Sequence, residues 1–478
     1  MFRRGIDGQI RLMVGDVPVP VVQAAKYGIP EWLCSLVMST TPDPPPLDAP
    51  VAYIGTLHEY QKKALGFAVH RLRTMLALDC GLGKTHVGIA YMLLHLPAMV
   101  VCPASLKASW EEHILSYAPS AASRITIVSY NKMGVIPGIQ CVVADEAHYL
   151  KHEASQRSKT FAKILNHCPR TLLLTGTPAQ RNVDLFHILK LLDPVHFRLF
   201  FHHGHKRVAN QLYFAERYSK PKQVWIGGTR HGFKFTTNQN SEELALLCTH
   251  FMLRMKKEDV VTLPVLRTEA VVLGCVDDAE YYSKRKIEID VVRETKGTRR
   301  ADTEMMALCR ETSQRKIPFV GPYLWTWIQT HPYEKVILFY HHKDIGDQLT
   351  EAVGTTVGHI RIDGKTSMKK RVERIHTFRT DPNCRVGVLS MCATSTGLNL
   401  QFCTKIIFAE LTFLSVHHCQ AEARIHRIGQ EREVSVDYLL LDGTTDMMLW
   451  RSLVAKRKTE TILFDSGTSA DNESIEPL

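Results

Sequence analysis

The stretch Leu78–Ala90, LDCGLGKTHVGIA, decides how the rest of the chain is read. It follows the β-rich run TMLAL (74–78) and opens onto a helical pattern. Gly81 and Gly83 let the backbone approach a phosphate without a Cβ in the way, and a helix starting at Lys84 aims its first N–H groups at it. Lys84 would neutralise the β- and γ-phosphates of a nucleotide, and the Thr85 hydroxyl would take a Mg²⁺ ligand position. Leu78 stands where G-x-x-x-x-G-K-[ST] has its first glycine, so a Gly-rich strand-to-helix turn is the alternative reading of this string alone.

Working outward, short apolar runs recur in two blocks. The first holds TMLAL, AMVVCP, CVVADE and RTLLLTGTP; the second holds KVILFY, HIRID, RVGVLS, KIIFAE and VSVDYLLL. Runs of this kind, separated by amphipathic stretches, predict an α/β fold with two parallel-sheet lobes covered by helices on both faces. Most polar motifs fall just after the runs end, where such sheets bind ligands.

The strongest of these is CVVADEAHYLKH (141–152). A strand ending in Asp145-Glu146 sets two carboxylates where the Gly-rich loop of an adjacent strand would also end. Asp145 can hold Mg²⁺, and Glu146 can orient and deprotonate an attacking water. Two acids at a strand end are often only a solvated loop, but the order of the two motifs, about 60 residues apart, argues for hydrolysis.

Composition agrees without deciding. The chain has 478 residues, 45% hydrophobic and 22% charged, with a net charge of +11. That is ordinary for a globular protein, excludes a mostly disordered chain and is compatible with a polyanionic partner. No apolar run reaches the roughly 20 residues of a membrane span, and the N-terminus lacks a secretory pattern. The twelve cysteines form no C-x-x-C pair. His202, His203 and His205, and the pairs His341–His342 and His417–His418, have no Cys or carboxylate set at zinc spacing, so no structural zinc is expected.

The expected organisation is an N-terminal extension with a Pro-rich linker (1–50), a first lobe (51–265), a helical connector (266–325), a second lobe (326–461) and a disordered tail (462–478). Lys284 to Lys316 carries ten Lys/Arg and six Asp/Glu with one Gly. It reads as a solvated helical connector, the alternative being one that faces nucleic acid.

The order of motifs resembles helicase superfamily two, specifically the Swi/Snf-type DNA-dependent ATPases, from about Leu57 to Thr461. LHEYQKK resembles the Q motif, MVVCPASLKASW motif Ia, TIVSY motif Ib, LLLTGTPAQ motif III and STGLNL motif V. FMLRMKKEDVVTLP resembles a further family stretch, one residue short, and QAEARIHRIGQ (420–430) matches motif VI. The resemblance implies two tandem RecA-like lobes with a nucleotide cleft between them, and ATP with Mg²⁺ as cofactors. It implies that Gln61 reads the adenine edge. Thr175, Gly176 and Thr177, with Gly397, would couple hydrolysis to DNA, and Gln420, Arg424 and Arg427 would serve catalysis. Arg424 and Arg427, three apart, are expected on one helix face, where guanidinium groups suit the charge on a transferring phosphoryl group.

FYHHKD, HIRIDGKTS, the IIFAEL run and AERYSKPKQVWIGGTRHGFKF resemble the annealing-helicase (HARP-like) subgroup. The implied function is a translocase that rewinds or remodels forked or branched duplex DNA, inside the cell, in the nucleus or wherever DNA is replicated and repaired. Chromatin- or transcription-linked remodelling is the alternative within the family; a DNA-binding scaffold with weak ATPase is the alternative of another class. Candidate phosphate contacts are Lys107, Ser129, Tyr130, Arg361, Lys365 and Arg371, residue types that grip a backbone without reading sequence. The family's usual residues are replaced around Asp79-Cys80, at YLKH after DEAH and in TSTGLNL.

Overall fold

The computed structural model describes residues 2–4, 10–14, 17–19, 31–38, 43–179, 181–199, 210–226, 229–235, 238–275, 279–296, 298–354, 357–396 and 398–464. The chain divides into two units: Met1–Gln223 with Phe233–Val260, and Val261–Arg457, each with shorter additional pieces.

The first unit is built on a six-stranded sheet. Its strands are β1 (Arg73–Leu78), β2 (Ala98–Cys102), β3 (Ile125–Ser129), β4 (Cys141–Asp145), β5 (Arg170–Thr175) and β6 (Met252–Met255), in the order β6-β1-β5-β4-β2-β3. All neighbours pair in parallel. A parallel sheet covered on both faces buries every residue of its inner strands, which is why these runs are apolar throughout rather than alternating; β2 and β4 are wholly buried. One face packs Met75, Met99, Val142 and Leu173 against Phe161, Phe186 and Leu189.

The second unit repeats the plan with β7 (Leu266–Cys275), β8 (Val336–Tyr340), β9 (Gly358–Ile362), β10 (Cys384–Ser390), β11 (Lys405–Phe408) and β12 (Val434–Asp442), in the order β7-β12-β11-β8-β10-β9. Again all pairings are parallel. Alternate residues of β8 enter different cores, Ile337 and Phe339 on one face and Val336, Leu338 and Tyr340 on the other. The two parallel-sheet lobes are those the sequence predicts.

Two details differ from expectation, and a third is untested. Leu266–Cys275, expected to begin a helical connector, is edge strand β7, half-covered along its length; only helices Ala279–Lys296 and Thr298–Thr330 follow as a connector would. The N-terminal extension contains strands Phe2–Arg4, Ile10–Val14 and Val17–Val19 in an antiparallel sheet. The tail from 465 lies outside the described residues.

Candidate functional site

The Gly-rich loop runs from the end of β1 into helix Lys84–Leu93, with Gly83 as its N-cap at φ +71°. A left-handed residue there favours glycine. Gln61 is buried against this turn: its amide nitrogen donates to the Leu82 carbonyl at 3.1 Å, and its oxygen accepts from the His58 N–H at 3.0 Å. The Lys84 ammonium donates to the Leu78 carbonyl at 2.8 Å and lies 3.3 Å from the Asp79 carbonyl. Thr85 follows it as the second residue of the helix. Asp79 is fixed from behind by Arg254 at 2.7 Å and by the Lys257 N–H at 3.0 Å, both from the segment following β6 or from β6 itself.

Asp145 ends β4. Strand β4 is not adjacent to β1, as the sequence reading supposed; β5 lies between them. Register nevertheless levels the three strand ends, because Thr175 pairs with Ala77 and Asp145 with Leu174. The Asp145 carboxylate is buried, accepts from the Trp110 indole N–H at 2.9 Å and from the Glu146 N–H at 2.9 Å, and is pushed up to about 6 by burial first and by the neighbouring Glu146 charge second. Lys84 and the Trp110 bond oppose that rise. Glu146 adopts φ +53°, and its carboxylate lies 3.2 Å from His148 Nδ1.

Thr175, Gly176 and Thr177 leave β5 toward the same loop. Thr175 and Thr177 are buried, and Thr175 Oγ1 accepts from the Thr177 N–H at 3.2 Å. A Cβ on Gly176 would stand 2.6 Å from Cys80 Sγ and 3.3 Å from Lys84 Nζ. Within the first unit, then, the structure gathers Gln61, Gly81, Gly83, Lys84, Thr85, Asp145, Glu146 and the Thr175–Thr177 turn at the carboxyl ends of the sheet's inner strands. Trp110 escaped the sequence reading; it sits in the string read as motif Ia, and nothing in its spacing points to Asp145.

In the second unit, helix Ser415–Glu422 carries Gln420 and ends before the two arginines. Arg424 and Arg427 therefore lie in successive turns, not on one helix face as expected. The turns close through the Ile425 N–H on the Glu422 carbonyl and the Arg427 N–H on the Ile425 carbonyl, both 3.1 Å. The Gln430 side chain holds the loop by donating to the Gln401 and Cys403 carbonyls at 2.9 and 3.0 Å. Arg427 Nε is buried without a hydrogen-bond acceptor among the described residues, and burial lowers its guanidinium from the ordinary value. Gly397 lies outside the described residues.

The expected phosphate contacts separate into two kinds. Lys365 is exposed and Lys107 half-buried at the start of helix Lys107–Tyr117. Arg361 is half-buried and paired with Asp347 at 2.5 Å. By contrast Ser129 and Tyr130 are buried, with the Tyr130 hydroxyl donating to the Asp145 carbonyl at 2.8 Å. Arg371 is buried too; its guanidinium donates to the carbonyls of Thr366, Asp363 and Ala393 at 2.8, 2.9 and 3.3 Å, which makes it a support of the loop carrying Lys365.

Comparison with known proteins adds ancestry to this geometry. The SNF2-related domain family matches residues 125–317, and the helicase conserved C-terminal domain family matches residues 317–429. The SWI/SNF-related matrix-associated actin-dependent regulator of chromatin subfamily A-like protein 1 of Xenopus laevis is 30% identical, over 96% of this chain and 49% of that protein. Its Caenorhabditis elegans homolog is 31% identical, over 84% of this chain and 61% of its own length. The human DNA annealing helicase and endonuclease ZRANB3 is 29% identical, over 83% of this chain and 39% of its own length. The chain thus spans about half the length of the curated relatives it matches. Among solved structures, the Sulfolobus solfataricus SWI2/SNF2 ATPase core in complex with dsDNA matches 87% of this chain and 95% of its own, with TM-score 0.40 and 21% identity.

Proposed function

The chain belongs to the SNF2-related family, with a helicase C-terminal domain following the SNF2-related one, and from that premise we propose that it is a DNA-dependent ATPase that moves along duplex DNA and rewinds forked or branched structures. The observation that carries the hydrolytic part is the convergence of Lys84, Asp145 and Glu146 at the carboxyl ends of strands of one sheet. Lys84 serves the phosphates, Thr85 and Asp145 hold Mg²⁺, and Glu146 orients and deprotonates the water. Gln61 meets the base, the Thr175–Thr177 turn and Gly397 couple hydrolysis to DNA, and Gln420, Arg424 and Arg427 act on the nucleotide in the transition state. ATP and Mg²⁺ supply the phosphoryl chemistry; the donor set, one hydroxyl and one dry carboxylate, suits a hard cation that keeps several waters. Lys107, Arg361 and Lys365 are the phosphate contacts this reading keeps.

Rewinding is favoured because the relatives at 29–32% identity include proteins named as annealing helicases. Nuclear sites of replication and repair are the corresponding location. The test compares ATP turnover with duplex, forked and single-stranded DNA and with RNA, alongside annealing of complementary strands held apart by a single-strand-binding protein. Forked DNA is expected to stimulate most, with ATP-dependent annealing. Displacement of a plain annealed oligonucleotide without rewinding would point to a conventional helicase.

A further inference from the structure

Three ligand-type side chains stand together outside the groups assigned above. His341 follows β8, Cys392 lies two residues beyond β10, and His417 sits in the helix Ser415–Glu422 that follows β11. Strands β11, β8 and β10 are neighbours in the sheet, so all three residues stand at the carboxyl ends of adjacent parallel strands. One ring nitrogen from each histidine and Cys392 Sγ all lie within 4.8 Å of one another. Cys392 Sγ and His341 Nδ1 are 3.7 Å apart. Two ligands on one tetrahedral ion, with bonds of about 2.3 Å to sulfur and about 2.0 Å to nitrogen, sit at close to that separation.

The surroundings suit a cation. Glu410, almost wholly buried, accepts hydrogen bonds from the His341 and His342 backbone N–H groups at 2.6 and 2.8 Å and from the His342 ring. It places a fixed negative charge behind the cluster and locks the backbone that carries His341. Cys392 is exposed, which leaves an entry path from solvent. A sulfur and two imidazoles form a borderline-soft set, unlike the oxygen donors that Mg²⁺ requires.

We infer that His341, Cys392 and His417 form a binding site for a thiophilic divalent cation, Zn²⁺ by ligand type, with water in the fourth position. On binding, the Cys392 thiol gives its proton to solvent and its sulfur donates an electron pair to the ion, while both imidazoles bind neutral, so affinity falls as pH falls. The sequence hides the site because its ligands are 51 and 25 residues apart, far outside zinc-motif spacing; the sheet, not the local chain, assembles them.

The test uses the whole chain stripped with a chelator, without nucleotide or DNA, titrated with ZnCl₂ against a chromophoric competitor and separately with Co²⁺. One saturable equivalent is expected, with a thiolate-to-cobalt charge-transfer band and a rise in melting temperature on adding Zn²⁺. Cys392→Ser should abolish the band and weaken binding at least tenfold, and His417→Gln should weaken it comparably. His203→Gln, in the separate HHGH run, should change nothing. Circular dichroism in chelator checks that each variant folds; should Cys392→Ser not fold, His417→Gln decides. No saturable site, a cobalt complex without the thiolate band, binding unchanged in the folded variants, or loss on His203→Gln would each overturn the assignment.

Discussion

Glu146 is one of two non-glycine residues with positive φ among the described residues, at +53°. A side chain in that region costs on the order of 1 kcal/mol, and the cost persists where a function requires it. Glu146→Gly should therefore melt higher than wild type while losing hydrolysis. Glu146→Gln, like Glu146→Gly, relieves the charge repulsion on Asp145 but keeps the left-handed backbone, so it should lose hydrolysis and melt below Glu146→Gly; wild-type turnover in either variant would remove the base assignment. Asp145 makes the opposite point about charge. Burial raises its carboxyl from the ordinary value of 3.8 to about 6. Between those values the folded state holds more protons than the unfolded chain, so stability falls as pH rises through that window. Asp145→Asn keeps an acceptor for Trp110 and removes the buried charge. Above pH of about 6 it should be more stable than wild type by about 1–3 kcal/mol, the gain vanishing near pH of about 4, and it should lose Mg²⁺-dependent turnover. Melting curves across that range, with turnover assayed in parallel, check both halves.

At the scale of elements, the strings that could be read were contiguous ones. LDCGLGKT and CVVADE each carry their chemistry within a single strand-to-turn connection, so the chain order alone exposes it. What could not be read depends on one element meeting another. Trp110 reaches Asp145 across 35 positions, and β5 comes between β1 and β4 although it follows both in sequence. The string QAEARIHRIGQ was legible as a motif, yet its geometry was misread. Helical spacing puts Arg424 and Arg427 on one face, but the helix stops at Glu422 and Gln430 ties the following turns to the carbonyls of another segment. Gly176 is a residue where two elements of the candidate site meet closely. Any side chain there must displace Cys80 or crowd the Lys84 ammonium. Gly176→Ala should cost about 1–3 kcal/mol by overpacking, and it should lower turnover and nucleotide affinity together. The double variant Gly176→Ala/Cys80→Ala should recover much of the stability, because it removes the sulfur that the new methyl group meets. Equal stabilities of single and double variants would show that the close approach is relieved elsewhere.

On the scale of the whole molecule, two units with separate cores predict separate responses to damage. The cores around Met75, Leu173 and Phe186 on one side and around Phe339, Phe408 and Tyr438 on the other share no residues. A defect confined to one should leave the other's stability nearly unchanged, as distant sites add independently. Lys316 supplies the probe. It lies on helix Thr298–Thr330, fully buried, with its ammonium 2.8 Å from both the Asp446 carboxylate and the Leu439 carbonyl. Asp446 also accepts from the Leu441 N–H at 3.0 Å, so the pair joins that helix to β12 and to the start of helix Thr445–Phe464. Sequence alone hides this lysine in a charged run that reads as a solvated connector. Lys316→Met fills the space but strands a buried carboxylate, which costs about 3–5 kcal/mol, whereas replacing both partners by apolar residues is often close to neutral. Calorimetry should accordingly resolve a transition that Lys316→Met lowers and Lys316→Met/Asp446→Leu largely restores. The transition belonging to the Gly-rich loop's unit, identified by its upward shift with ATP and Mg²⁺, should stay in place. A single transition moved as a whole by Lys316→Met would show that the two cores unfold as one.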